Sequence, residues 1–356
     1  MDLQALVESE TQTIIKRERF DYFAFRAAKQ RSFMDKLLDT KHQDKNTYAI
    51  FTDAENYINA SKETPSGRSI RRVSLDSGEI PEADGLTILA CTTNDLGKLG
   101  PQRIENFVRN STNVVLAVHD YDNHHWFSMS TIALGLADIY LPAHDYNLQT
   151  ISRLCHHPVY PVAVGSIQWT KQTLIEHQSA IVDAHRSNQL AGLHIFYPQF
   201  DLRNRIIATF SAAIPTVGFV QHDAYRNRPP LERLQAWLSA KIHLICPTTL
   251  DVPLRFFDAL ITGGMPVIPS GLIPTMQTLG ISSDFYATYD IQDLLNPLKA
   301  QAKWLEIFDL QGKFGIQERF QFAINHFHLD SVLDQAFNLA NRIIRQAINS
   351  KPYDCY

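Results

Sequence analysis

Short apolar runs recur along this chain at intervals that leave room for one helix between neighbours. TYAIFT, LTILAC, NVVLAV and ADIYLPA follow one another in the first half, separated by helical stretches such as PQRIENFVRN and FSMSTIALGLA. Apolar runs of this length, bounded by polar turns, read as buried strands, while a 3.6-residue period reads as amphipathic helix. Strands joined through helices pair in parallel with right-handed crossovers, so this half is predicted to form a Rossmann-like layered domain ending near Val164. SIQWTKQTLIEHQSAIVDAHRSNQ reads as a linker running into a helix. The alternation then restarts with GLHIFY, DLRNRIIATFSAA, PTVGFV, PPLERLQAWLSA, KIHLICP, a helix over DVPLRFFDALI, and PVIPS. From Leu294 onward the pattern is almost wholly helical, and no short-period repeat or low-complexity tract interrupts the chain.

The expected fold is therefore α/β, with two Rossmann-like domains facing a cleft, a helical N-terminal segment over residues 3–38 and a helical C-terminal tail. The expected boundaries are 1–165 for the first domain, 166–190 for the linker and helix, and 191–356 for the second domain with its tail. Open α/β sheets bind ligands at the carboxyl ends of their strands, which places the chemistry in the cleft. A length of 356 residues with 45% hydrophobic content is enough for two cores. The net charge of −4 and pI near 6.4 give no electrostatic ground for general nucleic-acid binding. Cys91, Cys155, Cys246 and Cys355 lie far apart and form no CxxC pair, which argues against a zinc ribbon or a disulfide framework. MDLQALVESETQ has no signal-like character, and no apolar run reaches the ~20 residues that span a bilayer. A reducing, cytoplasmic location is expected. The basic N-terminal helix IIKRERFDYFAFRAAKQRSFMDKLL reads as a helix packed on its own domain, with peripheral contact to an anionic inner membrane face as the alternative.

LDVPLRFFDALITGGMPVIPSG, from Leu250 to Gly271, carries polar residues on an otherwise apolar helix. Asp251 is placed as its N-cap and Pro253 in its first turn, and Gly263 and Gly264 supply the left-handed conformation that stops it. At ~100° per residue, Arg255, Asp258 and Thr262 point within roughly 60° of one another, to meet a ligand or only each other. An i,i+3 ion pair of Arg255 with Asp258 is the purely architectural reading.

DVPLRFFDALITGGMPVI resembles the nucleotide-binding signature of GT-B glycosyltransferases, in which a basic residue, an aromatic-acidic-Ala-Leu step, a small-residue turn and Pro-Val-Ile follow in order. It is also similar to the corresponding helix of exostosin-like and fucosyltransferase-like members. The resemblance implies that Asp258 binds the ribose hydroxyls of a nucleoside diphosphate sugar and that Arg255 faces its diphosphate. The usual acidic residue there is Glu, one methylene longer, and no Glu stands about two turns earlier, where Leu250 and Asp251 lie. A carboxylate accepts from two vicinal hydroxyls, and a guanidinium fork stabilises charge on a departing diphosphate. No tightly bound cofactor and no resident metal are implied. The acceptor would be a glycan, a lipid-linked molecule or a protein, as in surface polysaccharide or glycoconjugate synthesis.

Other candidates stand at predicted strand ends of the second domain. Thr248 and Thr249 precede the helix, where hydroxyls and backbone N–H groups can meet phosphate or base. His194, Tyr197, Arg203 and Arg205 follow GLHIFY, the arginines as pyrophosphate contacts and Tyr197 as a flank for a base. For each of these, a surface or packing role is the competing reading. QHDAYRNRPP is placed alike, with His222, Asp223, Tyr225, Arg226 and Arg228, but carries no motif.

NVVLAVHDYDNHHWF delivers His119, Asp120, Asp122, His124 and His125 in quick succession after an apolar strand. The resemblance puts such a strand end on the acceptor side of the cleft. In an inverting transfer, His119 paired with Asp120 or Asp122 is the expected base, and in a retaining transfer the cluster binds acceptor. Asp120-Tyr121-Asp122 also matches the DxD pattern by which GT-A enzymes hold a divalent metal. The remaining alternatives are a metal-dependent hydrolase centred on His119 to His125, a non-catalytic nucleotide-sugar or glycan-binding protein, and a hydrogen-bonded turn beneath Trp126. HDYN (His144 to Asn147) and CHHP (Cys155 to Pro158) are further His-containing turns.

Overall fold

A computed structural model describes residues 22–38, 45–77, 85–111, 113–145, 147–221, 228–249 and 251–349. The first domain runs α1 (Tyr22–Leu38), β1 (Thr47–Phe51), β2 (Ile70–Val73), β3 (Thr87–Thr92), α2 (Thr93–Leu99), α3 (Pro101–Arg109), β4 (Val114–Asp120), α4 (Phe127–Leu136), β5 (Ile139–Pro142) and α5 (Leu148–Leu154). Two short helices, α6 (Lys171–Glu176) and α7 (Gln178–Asp183), lead into the second. That domain runs β6 (Ser187–Ile195), α8 (Asp201–Ala213), β7 (Val217–Val220), α9 (Pro230–Leu238), β8 (Ala240–Leu244), α10 (Leu254–Ile261), β9 (Met265–Pro269), α11 (Ile273–Thr278), β10 (Ala287–Tyr289), α12 (Ile291–Leu295) and α13 (Pro297–His326). α14 (Leu329–Asn349) ends the described chain.

Each domain holds one five-stranded sheet, in the orders β2-β1-β3-β4-β5 and β10-β9-β8-β6-β7, and every strand pair is parallel. Numbered within its own domain, each sheet is a 2-1-3-4-5 doubly wound sheet, whose chain reverses direction between strands 1 and 3. The architecture is two Rossmann-like α/β domains, as the strand and helix alternation predicts. β3 and β4 are buried at every position because helices cover both faces, so they read as unbroken apolar runs. The edge strand β2, IRRV, is exposed at Arg71 and Arg72 and carries no apolar run to mark it.

The tail divides between the domains. α13 bends at Gly312, whose φ of 55° and ψ of −151° lie outside the helical region. Its first part packs Trp304 and Phe308 into the core of the second sheet with Phe210 and Val267. α14 returns to the first domain and packs on α1, β3 and β5, although the sequence pattern leaves the whole tail with the second domain. The return lies beside the linker. Ser166 N–H donates to the Phe327 carbonyl at 2.7 Å, and Leu329 N–H donates to the Ser166 carbonyl at 3.0 Å. A Cβ on Gly165 would sit 2.2 Å from the Phe327 oxygen, so only glycine permits this approach.

The described part of the N-terminal helix packs on its own domain: Phe33 and Leu37 are buried, and Lys36 pairs with Asp138 at 2.6 Å. Residues 3–21 of that expected segment lie outside the described residues. Among the described residues, no helix is long and apolar enough to cross a membrane.

Candidate functional site at the domain cleft

β4 continues through both residues that follow its apolar run. His119 and Asp120 therefore end the strand as sheet members, buried at 1% and 0% exposure. His119 Nε2 donates to the Val162 carbonyl at 2.6 Å, its Nδ1 lies 3.5 Å from the Tyr57 hydroxyl, and burial lowers its pKa to about 4. Asp120 accepts from Tyr140 Oη at 2.5 Å, from Thr93 Oγ1 at 3.1 Å and from the Asp122 N–H at 3.0 Å. The expected His119 base is thus replaced by a neutral imidazole clamped to the backbone. The DxD reading fails as well, because Asp120 is committed inside the domain. Among the described residues no three His, Cys, Asp or Glu side chains are grouped to hold a metal ion.

The turn beyond the strand does reach the cleft. The Asp122 carbonyl accepts from the N–H of His125 and Trp126, closing a tight turn that projects Asp122, His124 and His125. Asn123 fixes it to the next strand end, donating to the His144 carbonyl at 2.9 Å and accepting from its N–H at 2.9 Å. Across the gap, Thr248 Oγ1 lies 3.1 Å and the Asp251 carboxylate 3.6 Å from His124 Nε2. On the other side, His124 Nε2 is 2.7 Å from His125 Nδ1, and His125 Nε2 is 4.0 Å from Asp122 Oδ1. A chain of titratable groups therefore joins the domains. Burial, then the carboxylates of Asp120, Asp251 and Glu55, raise the Asp122 pKa to about 7. Burial lowers both imidazoles, His124 to about 3. Burial would raise Asp251, but His124 and the Thr249 N–H outweigh it and hold it below the usual carboxylate value.

Asp251 occupies the donors expected to meet an anion. Its Oδ1 accepts from the N–H of Thr248 and of Thr249, each at 2.9 Å, so it caps the turn before α10 while Pro253 stands at the N-cap position. Thr248 is a contact between domains rather than an open phosphate ligand, and Thr249 shares that turn.

The second sheet opens between β6 and β8. Their ladder ends at Ala191 and His243, and two guanidinium groups lie beyond it. Arg203 donates to the Ile195 carbonyl at 2.9 Å and the Cys246 carbonyl at 3.1 Å, joining the two strand ends, and lies over the Tyr197 ring at 5.2 Å. Arg255 donates to the Leu193 carbonyl and lies 5.4 Å over the Trp237 ring. His194 is buried beneath them with Nδ1 donating to Gly192, and burial and both arginines hold it neutral. A groove of 330 Å³ beside Arg255 is lined by Leu193, Trp237 and His243 and runs on past Gln189, Thr216 and Ser239 at the amino ends of β6, β7 and β8, away from the cleft. A smaller space of 160 Å³ lies between the domains, lined by His144, Asp145, Val164, Val252 and Phe257 among others.

Asp258 departs from the expectation. It is 1% exposed and accepts from Ser166 Oγ at 2.7 Å and from Gln168 Nε2, so its carboxylate holds the linker and is walled off from the cleft. Thr262 bonds back to the carbonyls of Asp258 and Ala259 on its own helix. Of the three residues on that helix edge, Arg255 alone lies at the opening of the sheet. Arg205 forms an exposed i,i+4 pair with Asp201 at 2.7 Å, away from any pyrophosphate role. Gly263 and Gly264 are packing positions, since added Cβ atoms would meet Ile316 and His243 at 2.5 Å. His144 and Trp237 join the site without a motif to announce them. His144 stands with its ring centroid 4.5 Å from that of His124, and only the fold reveals the approach.

Neither a protein-family model nor a curated protein sequence matches this chain. Among solved structures it is similar to the crystal structure of TarM, with a TM-score of 0.44 and 10% identity over 71% of this chain and 54% of that one. The chain thus spans about half the length of that structure, and a likeness at this level carries no argument about activity.

Proposed function

We propose that this protein is a glycosyltransferase that moves a sugar from a nucleoside diphosphate donor to an acceptor hydroxyl. One observation carries the reading. Arg203 and Arg255 converge where β6 and β8 part, at the reversal point of a doubly wound sheet, and a titratable chain from the other domain lies across the cleft. Such reversal points are where open α/β sheets take their ligands, and paired guanidinium groups suit a diphosphate. The donor's diphosphate meets Arg203 and Arg255 at the carboxyl strand ends, and only the end of the groove next to Arg255 and Leu193 adjoins it. The ribose role falls to groups of that groove instead of Asp258.

As the acceptor oxygen attacks the anomeric carbon, its proton passes to the His125–Asp122 pair. The bond from that carbon to the diphosphate breaks, and the arginines take up the charge. Asp122 must be ionised to accept, so kcat/KM rises with pH through about 7.

A thermal-shift screen against nucleoside diphosphates tests donor binding, because a ligand of the folded state raises Tm. Arg255→Ala is expected to abolish the shift of the best hit. Asp122→Asn is expected to keep that shift while lowering kcat at least about 100-fold, the scale of general-base loss. A retained shift in Arg255→Ala would sink the donor site, and donor binding without turnover by the natural sequence would make the protein a binder.

A further inference from the structure

At the amino end of the first sheet, the side remote from the cleft, lies a groove of 380 Å³ that the transfer chemistry does not use. α14 forms one wall with Asn338, Asn341, Arg342, Arg345, Gln346 and Asn349, and Tyr48 and Arg68 face them. The helix positions follow i, i+3, i+4, i+7, i+8 and i+11, a single stripe about 16 Å long at 1.5 Å per residue. Neither a carboxylate nor an aliphatic side chain lines the groove.

Its floor is fixed in advance. Asn341 donates to Tyr48 Oη at 2.9 Å and accepts from Asn46 at 2.8 Å. Arg68 donates to Asn338 Oδ1 at 2.6 Å and pairs with Asp334 at 2.6 Å, which offsets its charge. The rim differs. Arg342 and Arg345 are exposed, and neither has a carboxylate partner among the described residues. Arg342 is held 4.5 Å over the Tyr160 ring, which orders its guanidinium without neutralising it. A chain of net charge −4 thus gathers positive charge that no carboxylate pairs among the described residues beside a row of carboxamides.

This chemistry selects its ligand. Planar carboxamides and guanidinium groups bind vicinal hydroxyls and anionic oxygens, and the fork geometry of arginine favours carboxylate, sulfate or phosphate. The lining has no aliphatic side chain, and its one aromatic ring, Tyr48, is tied down by Asn341, so a membrane surface finds no apolar anchor to insert. A stacked nucleobase finds no platform either, because Tyr48 is flanked by Phe337 at 4.9 Å and by Arg68 at 5.4 Å. We infer that this groove is a second binding site, for an anionic oligosaccharide laid along α14 with its acidic groups on Arg342 and Arg345. The site stands whether or not the transfer reaction proposed above does.

Titration calorimetry of the full chain with tetragalacturonate tests the inference, with maltotetraose, inorganic phosphate and phosphatidylglycerol vesicles as the other probes. Expected are saturable one-to-one binding of tetragalacturonate that weakens as salt rises, and no binding of maltotetraose. Arg342→Ala with Arg345→Ala is expected to raise the Kd at least tenfold at unchanged Tm, and the double Lys variant to fall between. The inference is overturned if tetragalacturonate does not bind, if the double Ala variant binds it equally, or if maltotetraose binds as well. It is equally overturned if inorganic phosphate alone binds as tightly, which marks a generic anion site, or if vesicles bind in preference.

Discussion

Asp258 accepts from Ser166 and Gln168 in a dry setting, and burial raises its pKa from 3.8 to about 6. The unfolded chain releases this proton near the ordinary value while the folded chain still holds it. Between about pH 4 and pH 6 the native state therefore binds more protons, and stability falls as pH rises through that window. Asp258→Asn is expected to flatten this slope in Tm measured from pH 4 to 7, and a slope unchanged in the variant would show that another group titrates there. Asp258→Ala removes the acceptor of the buried Ser166 hydroxyl and of the part-buried Gln168 amide and is expected to cost about 1–3 kcal/mol by urea unfolding. His119, Asp120 and Asp122 illustrate what single residues do and do not reveal in a sequence. A strand followed by a polar turn is legible in VVLAVHDYDN, but not that β4 ends at Asp120 rather than Val118. That two-residue extension takes His119 and Asp120 into the sheet and leaves Asp122 and His125 for the cleft.

α10 is legible down to its stop signals, and its glycines act through packing. Gly263 has φ of 73°, and a Cβ on Gly264 would sit 2.5 Å from the ring of His243, which stacks on Trp237 at 4.8 Å. Gly264→Ala is expected to cost about 1–3 kcal/mol, the usual range for overpacking. The same change should disturb Trp237 fluorescence, and an unaltered spectrum with unaltered stability would contradict this packing. Most strands were readable because helices bury both of their faces, as in LTILAC and KIHLICP. β2 and the three-residue β10 were not, since edge strands need no apolar run and IRRV turns two arginines outward. The side on which Asp258 is covered was unreadable too, because the linker that covers it lies 90 residues or more away in sequence.

At the scale of the whole molecule, the cleft is bridged by His124 with Thr248 and Asp251, while Asp251 also caps the turn it belongs to. Asp251→Ala removes the carboxylate shared by two backbone N–H groups and an imidazole. Hydrogen exchange over residues 121–126, 248–249 and 251–252 is expected to speed up about tenfold or more, the equivalent of about 1.4 kcal/mol, with β3 and β4 unaffected. Uniform loss of protection would instead mean that the residue supports the core. The pair of parallel, helix-covered sheets was foreseeable from alternation alone, but their 2-1-3-4-5 order, which needs β2 and β10, was not, nor was the return of α14, because a helical period says nothing about which domain a helix joins. That return has a mechanical consequence. Among the described residues the chain passes between the domains twice, at Gly165–Ser166 and at Phe327–Leu329, and the two passages are laced together by main-chain hydrogen bonds. Two such passages set side by side tie the lobes along one line, and the apolar packing that α10, α13 and α14 share with the first domain resists their sliding past each other.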